Sequence, residues 1–183
     1  MAWEIDQAHS LIEFSAKHMM VTTVKGRFTK FSGTIDIDEA DPTASVVDVT
    51  IDANSVATGD EKRDGHLRSP DFFDAAQYPT LTYKSTRVER TGEDSARAYG
   101  DLTIKGVTRP VTLEVTREGE TKNMRGERLM GFSVRTAINR KEWGLNWNVA
   151  LEAGGVLVSD KINIAIDAEV FEPAPAQPEL ASA

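Results

Sequence analysis

Apolar and polar residues alternate along most of the chain, in short runs separated by turn-forming residues. In residues 11–18, Ile12, Phe14, Ala16 and His18 fall on one face, with Glu13, Ser15 and Lys17 on the other. Residues 31–38 repeat the pattern, setting Phe31, Gly33, Ile35 and Ile37 against Ser32, Thr34, Asp36 and Asp38. The same period groups Val47, Val49 and Ile51, then Leu81 with Tyr83, and Leu102 with Ile104. It returns in Val111, Leu113 and Val115, in Met130, Phe132 and Val134, and in Ile162, Ile164 and Ile166. Successive strand side chains point to opposite faces, so the pattern predicts eight strands, each with one face inside and one in water.

The punctuation is of the hairpin kind: "VKGRF" after the first run, "RTGEDSAR" near 92, "IKGVTRP" near 106 and "REGETKNMRGER" near 122. Short connections make neighbouring strands antiparallel. One apolar face per strand in meander order can be buried by a two-sheet sandwich or by a closed barrel, and alternation alone does not choose between them. Residues 54–79, between the third and fourth strands, lose the alternation. They predict a short helix from about Asp60 to Leu67, and Ser69 with Pro70 reads as the start of a second helical turn.

Length and composition narrow the reading. At 183 residues the chain accommodates one core, assigned to 1–172. The Pro/Ala-rich end, 173–183, is expected to be a disordered tail. A net charge of -8 argues against a nucleic-acid partner, which needs clustered Lys and Arg. With no cysteine there is no disulfide, thiolate nucleophile or sulfur-ligated metal. The stretch "MAWEIDQAHS" lacks the basic-then-apolar order of an export signal, and no run nears the roughly 18 apolar residues of a spanning helix. The expectation is a cytoplasmic protein without stable membrane insertion.

Catalytic templates are missing: there is no G-x-S-x-G, P-loop or H-E-x-x-H pattern. "DIDEADPT" resembles a calcium loop but has no Gly at its sixth position, and Val47 stands where a bidentate Glu is needed. His9 and His18, an odd number apart, point to opposite faces of an uninterrupted strand, so no metal centre is expected. His18 is either a satisfied core histidine or a polar contact in a cavity. "RDGHLRSPDFF", residues 63–73, is either a solvated helix with Leu67, Phe72 and Phe73 packed down as a lid, or a cap whose Arg63, His66 or Arg68 meets an anionic head group. "INRKEWGLNWN", residues 138–148, carries Arg140, Trp143 and Trp147 and suits either a ligand mouth or a core plug. Ala16, Gly33, Ala98 and Gly100 are small residues on apolar faces, which leave space or mark bends.

Four stretches, "IDQAHSLIEFSAKHMMVTTVKGRF", "RDGHLRSPDFFDAAQYP", "GDLTIKGVTRPVTL" and "GFSVRTAINRKEWGL", in this order resemble the YceI-like family of polyisoprenoid- or lipid-binding proteins, from about Trp3 to Glu169. The resemblance implies an all-β, eight-stranded antiparallel lipocalin-like barrel with a short helical cap between its third and fourth strands. It also implies an amphiphilic isoprenoid, quinone-like or fatty-acyl lipid in the lumen, with no cofactor and no catalysis. The expected ligand contacts are then the inward residues Ile12, Phe14, Ala16, His18, Phe31, Gly33, Ile35, Tyr83, Leu102, Ile104, Phe132 and Val134. The capping residues His66, Leu67, Phe72, Phe73, Arg140 and Trp143 complete the set. A homodimer is compatible with this reading. The competing classes are an enzyme using His18 or His66 on a hydrophobic substrate, and a filled barrel acting as an interaction module.

Overall fold

The computed structural model describes residues 2–173, and the alternating runs form one antiparallel sheet closed on itself. Its strands are β1 (Ala2–Ile5), β2 (Leu11–His18), β3 (Thr22–Phe28), β4 (Phe31–Asp36), β5 (Val46–Asp52), β6 (Val56–Ala57), β7 (Thr80–Arg90), β8 (Ser95–Ile104), β9 (Val107–Lys122), β10 (Arg128–Asn139) and β11 (Lys161–Phe171). These eleven segments make an eight-stranded barrel because three of its strands are broken in two. β1 and β2 lie end to end beside β11, pairing Ile5 with Val170 and Leu11 with Asp167. β3 and β4 lie beside them, β3 on β2 and β4 on β1. β5 and β6 continue the pattern, and β7 to β11 follow as a meander that closes on the first strand.

Two of the breaks have a local cause in a capping aspartate. The Asp6 carboxylate accepts the Ala8 and His9 N–H groups, turning Gln7–His9 into a 3-10 turn. The Asp52 carboxylate accepts the Asn54 N–H and does the same at Ala53–Ser55. A carboxylate that captures nearby amides offers the backbone an alternative to the ladder, so the strand bends there.

The first turn differs from the sequence-based expectation. "VKGRF" is the body of β3, and the chain reverses earlier at Met19 and Met20, with φ of 52° and 64°, where the Val21 N–H donates to the His18 carbonyl. Two successive positive φ angles define a type I′ hairpin, which normally selects Asn-Gly, so Met-Met carries no turn signal. Gly26 serves packing instead: a Cβ there would stand 2.4 Å from Phe14 Cζ, so the Phe14 ring lies across the bare backbone. The second helical turn is also absent. Helix α1 spans Glu61–Arg68 with Asp60 as N-cap, and Ser69 is its C-cap, its N–H returning to the His66 carbonyl. Residues 70–79 cross the barrel end as turns. From residue 174 the expected tail lies outside the described residues.

Both barrel ends carry apolar packing. At the end holding β1, Trp3, Met130 and Val170 form a buried floor joined by Phe132, Ile35 and Ile37. Arg128 covers that end, its guanidinium 5.2 Å from the Trp3 ring and paired with Glu39, Glu120 and Glu172. At the other end, Phe72, Ala75, Trp143 and Leu145 are buried in the main core cluster.

Candidate functional site: an apolar lumen under a pinned cap

Between floor and cap lies a cavity of about 400 Å³ whose walls are almost wholly apolar. Its size lies within the 300–1,000 Å³ range typical of small-molecule sites. Phe14, Ala16, Ile164 and Ile166 point inward yet remain only half-buried, because the side chains do not fill the lumen.

The residues named from sequence fall into three groups. Ile12, Phe14, Ala16, His18, Phe31, Ile35, Tyr83, Leu102, Ile104 and Val134 line the wall of the cavity. His66, Leu67, Phe72, Phe73, Arg140 and Trp143 line it from the capping segments. Gly33 and Phe132 do not line it. A Cβ on Gly33 would stand 2.5 Å from the Asp48 carbonyl oxygen and 3.1 Å from Ile5 Cδ1, so this glycine admits neighbours at a close crossing and leaves no room. Phe132 has inward parity but sits below the cavity, on the Trp3–Met130–Val170 floor. Gly100 likewise makes way for a side chain, since its Cβ would meet Tyr83 Cζ at 2.6 Å.

Polar groups on the lining are mostly engaged within the protein. The buried Tyr83 hydroxyl donates to the Ala98 carbonyl at 3.0 Å, with Val111 O at 3.3 Å, and burial followed by the Asp101 charge pushes its pKa up to about 12. Thr136 donates to Thr112 O, and Trp143 Nε1 to Leu102 O at 2.9 Å. Arg140, 4 % exposed, donates to the carbonyls of Leu145, Trp147, Ser159 and Val158. Desolvation lowers its pKa, opposed by Asp160 at 3.8 Å. This guanidinium folds residues 140–159 back over the barrel end, and its donors are occupied there. It is placed to hold the crossing segment, not a ligand head group.

The basic residues of the 63–73 stretch are also internal fasteners. Arg63 donates to the Thr58 hydroxyl and carbonyl, and Arg68 to the carbonyls of Asn54 and Val56. Asp64 is buried and accepts both the Thr58 N–H and its hydroxyl. The face expected to be solvated therefore pins α1 to the β6 segment. His66 bonds Asp71 at 2.9 Å, with its ring edge-on to Trp147 at 4.5 Å and to Phe72 at 5.1 Å. Among the described residues that line the lumen, the His18 imidazole and the Trp147 indole N–H make no hydrogen bond within the protein.

Sequence reasoning missed several wall residues. Val24 and Phe28 were hidden by the misplaced turn, Ile5 by the short β1, and Leu145, Trp147, Leu157 and Val158 by the irregular 140–160 segment. The last group carried one signal, an aromatic pair in a stretch without alternation. On the outer surface, Asp6, His9 and Glu169 cluster, with His9 Nδ1 2.8 Å from Asp6 and its pKa raised chiefly by that hydrogen bond.

A closed antiparallel barrel with a floor, a cap and an apolar lumen defines a lipocalin-like binding architecture. The family model of the YceI-like domain matches residues 3–170, and the chain belongs to that family. A UPF0312 protein from Staphylococcus epidermidis is 39% identical over 168 residues, 91% of this chain and 95% of its own. Among solved structures, Burkholderia cenocepacia BcnA superposes with a TM-score of 0.79 at 27% identity, covering 90% of this chain and 98% of its own. A polyisoprenoid binding domain from Saccharophagus degradans, implicated in plant cell wall breakdown, gives a TM-score of 0.67 at 20% identity, covering 93% and 98%, and shares the fold. Among the described residues no helix is long and apolar enough to cross a membrane.

Proposed function

We propose that the chain is a non-catalytic carrier that holds one amphiphilic lipid, an isoprenoid, quinone-like or fatty-acyl chain, in the barrel lumen. The observation that carries this reading is the cavity itself: about 400 Å³ of space walled by aliphatic and aromatic side chains inside a closed sheet. Each buried ligand methylene contributes about 0.8 kcal/mol, so an acyl or prenyl tail supplies the affinity. The wall and cap residues named above act as tail contacts, and His18 meets the one polar group that the tail carries. Arg140, His66 and the α1 arginines act by keeping the cap in place.

Organic extraction of the freshly purified protein, followed by lipid mass spectrometry, tests the proposal. The expected result is a single class of long-chain amphiphile at near-equal molar amount. An extract without lipid, together with no uptake of added isoprenoid or fatty-acyl chains, would assign the barrel to the interaction-module class. Chemical turnover of the captured lipid that disappears on His18→Gln while capture persists would assign it to the enzymes.

A further inference from the structure

The β2–β3 hairpin carries two features that the lumen does not explain. Its turn residues Met19 and Met20 both hold positive φ, a conformation disfavoured for side chains with a Cβ, in a turn for which Asn-Gly is the relaxed choice. The side chains so presented are apolar and largely exposed: Met19 is 49 % exposed, Met20, whose side chain lies against Gly155, 61 %, and Val21 78 %. Val149, 46 % exposed, extends the patch, because the 149–158 loop pairs onto the hairpin through the Met19 N–H to Leu157 O and the Leu157 N–H to Val149 O. Strain kept in place to expose three apolar side chains points to a surface they contact.

Charge identifies that surface. Residues 15–34 contain Lys17, Lys25, Arg27 and Lys30 and no aspartate or glutamate, in a chain whose net charge is -8. Lys17, Lys25 and Arg27 lie on the outward face of the hairpin by strand parity, opposite Ala16, His18 and Val24, and Glu13, cross-strand from Arg27 and 3.6 Å from Lys25, offsets one of these three charges. An apolar tip above a basic collar fits a layer that is apolar within and anionic at its surface. A three-residue tip is too small for the roughly 800 Å² per partner that a stable protein interface buries. Methionine's flexible thioether chains suit a disordered apolar medium better than a fixed pocket.

We infer that the Met19–Met20–Val21 tip and the lysine-arginine collar behind it dock the barrel reversibly on an anionic lipid surface. His18, which directly precedes the tip, and Leu157 and Val158, which pair beside it, line the cavity. The docked tip thus sets the cap end of the lumen against the layer from which a lipid is drawn, and this role in loading rests on the carrier reading above.

Flotation with vesicles of phosphatidylcholine, with and without phosphatidylglycerol, tests the inference against a double variant, Met19→Asn/Met20→Gly. The variant installs the relaxed turn, so its melting temperature should stay level or rise. The parent should float with the phosphatidylglycerol vesicles and much less with phosphatidylcholine alone. The variant, and separately Lys25→Glu/Arg27→Glu, should bind at least about tenfold more weakly, as loss of a few buried methylenes or reversal of two charges implies. A pyrene-labelled fatty acid delivered from ethanol should bind parent and turn variant equally. Tip-dependent flotation of a parent that binds no pyrene lipid would uphold the docking surface while the carrier reading failed. Equal flotation of parent and turn variant, or tip-dependent self-association without flotation, would overturn the inference, the latter by giving the tip to a second copy.

Discussion

Ala16 and Gly33 both fall on inward faces in the sequence pattern, and the fold separates them. Ala16 is half-buried on the cavity wall, whereas a Cβ on Gly33 would press on the Asp48 carbonyl and the Val49 backbone, at 2.5 and 3.1 Å. Ala16→Leu adds three carbons to the lumen. If they displace about three ligand methylenes at about 0.8 kcal/mol each, affinity for a long-chain lipid falls by about 2.4 kcal/mol, or about sixtyfold. Stability should hold or rise, because the new side chain buries apolar surface in existing space. Gly33→Leu should do the reverse, costing about 1–3 kcal/mol or more through overpacking against backbone that cannot yield, with little direct effect on the ligand. Denaturant melts and titration with a fluorescent fatty acid on both variants read the two effects. An Ala16→Leu protein that loses stability yet binds lipid within about threefold of the parent would show Ala16 in a packed core and refute the assigned lumen.

Arg140→Met should destabilise the fold by about 3 kcal/mol or more, since it strands buried carbonyls of Leu145, Trp147 and Ser159, and denaturant unfolding will measure it. Asp64→Ala should loosen the cap, seen as faster hydrogen exchange across residues 58–75 with the remaining strands unchanged, because the Thr58 N–H and hydroxyl lose their acceptor. Tyr83 has a folded-state pKa of about 12 against 10.0 for the free side chain, so the folded protein holds this proton more tightly than the unfolded chain. Its contribution is therefore intact below about pH 10 and lost as pH rises toward 12, and Tyr83→Phe should flatten that part of the stability profile measured by denaturant melts.

The strands were legible because alternation is a local property: a residue's parity follows from its neighbours, and Phe14, Tyr83 or Val134 needed no distant information to be placed inward. The helix was legible from the loss of period two, though not its cap: Asp60, read as its first residue, is the N-cap, and Ser69, read as the start of a second turn, is the C-cap. Parity does not give depth along the barrel. Phe132 and Val134 share a face, but the floor built by Trp3 and Val170 from opposite ends of the chain takes the first and leaves the second on the cavity wall. Nor does a small residue say what lies opposite it. Gly33 meets Asp48 and Ile5, and Gly100 meets Tyr83, through register between strands distant in sequence. The charged residues of the 63–73 and 138–148 stretches read equally well as ligand contacts, because their partners are backbone carbonyls, which sequence does not display. Alternation and turn chemistry set the eight-stranded all-β pattern and the inward set. Closure, the floor and the inward or outward use of each arginine were decided by long-range pairing, since only a closed sheet brings residue 3 against 170 and the carbonyls of 145–159 onto Arg140.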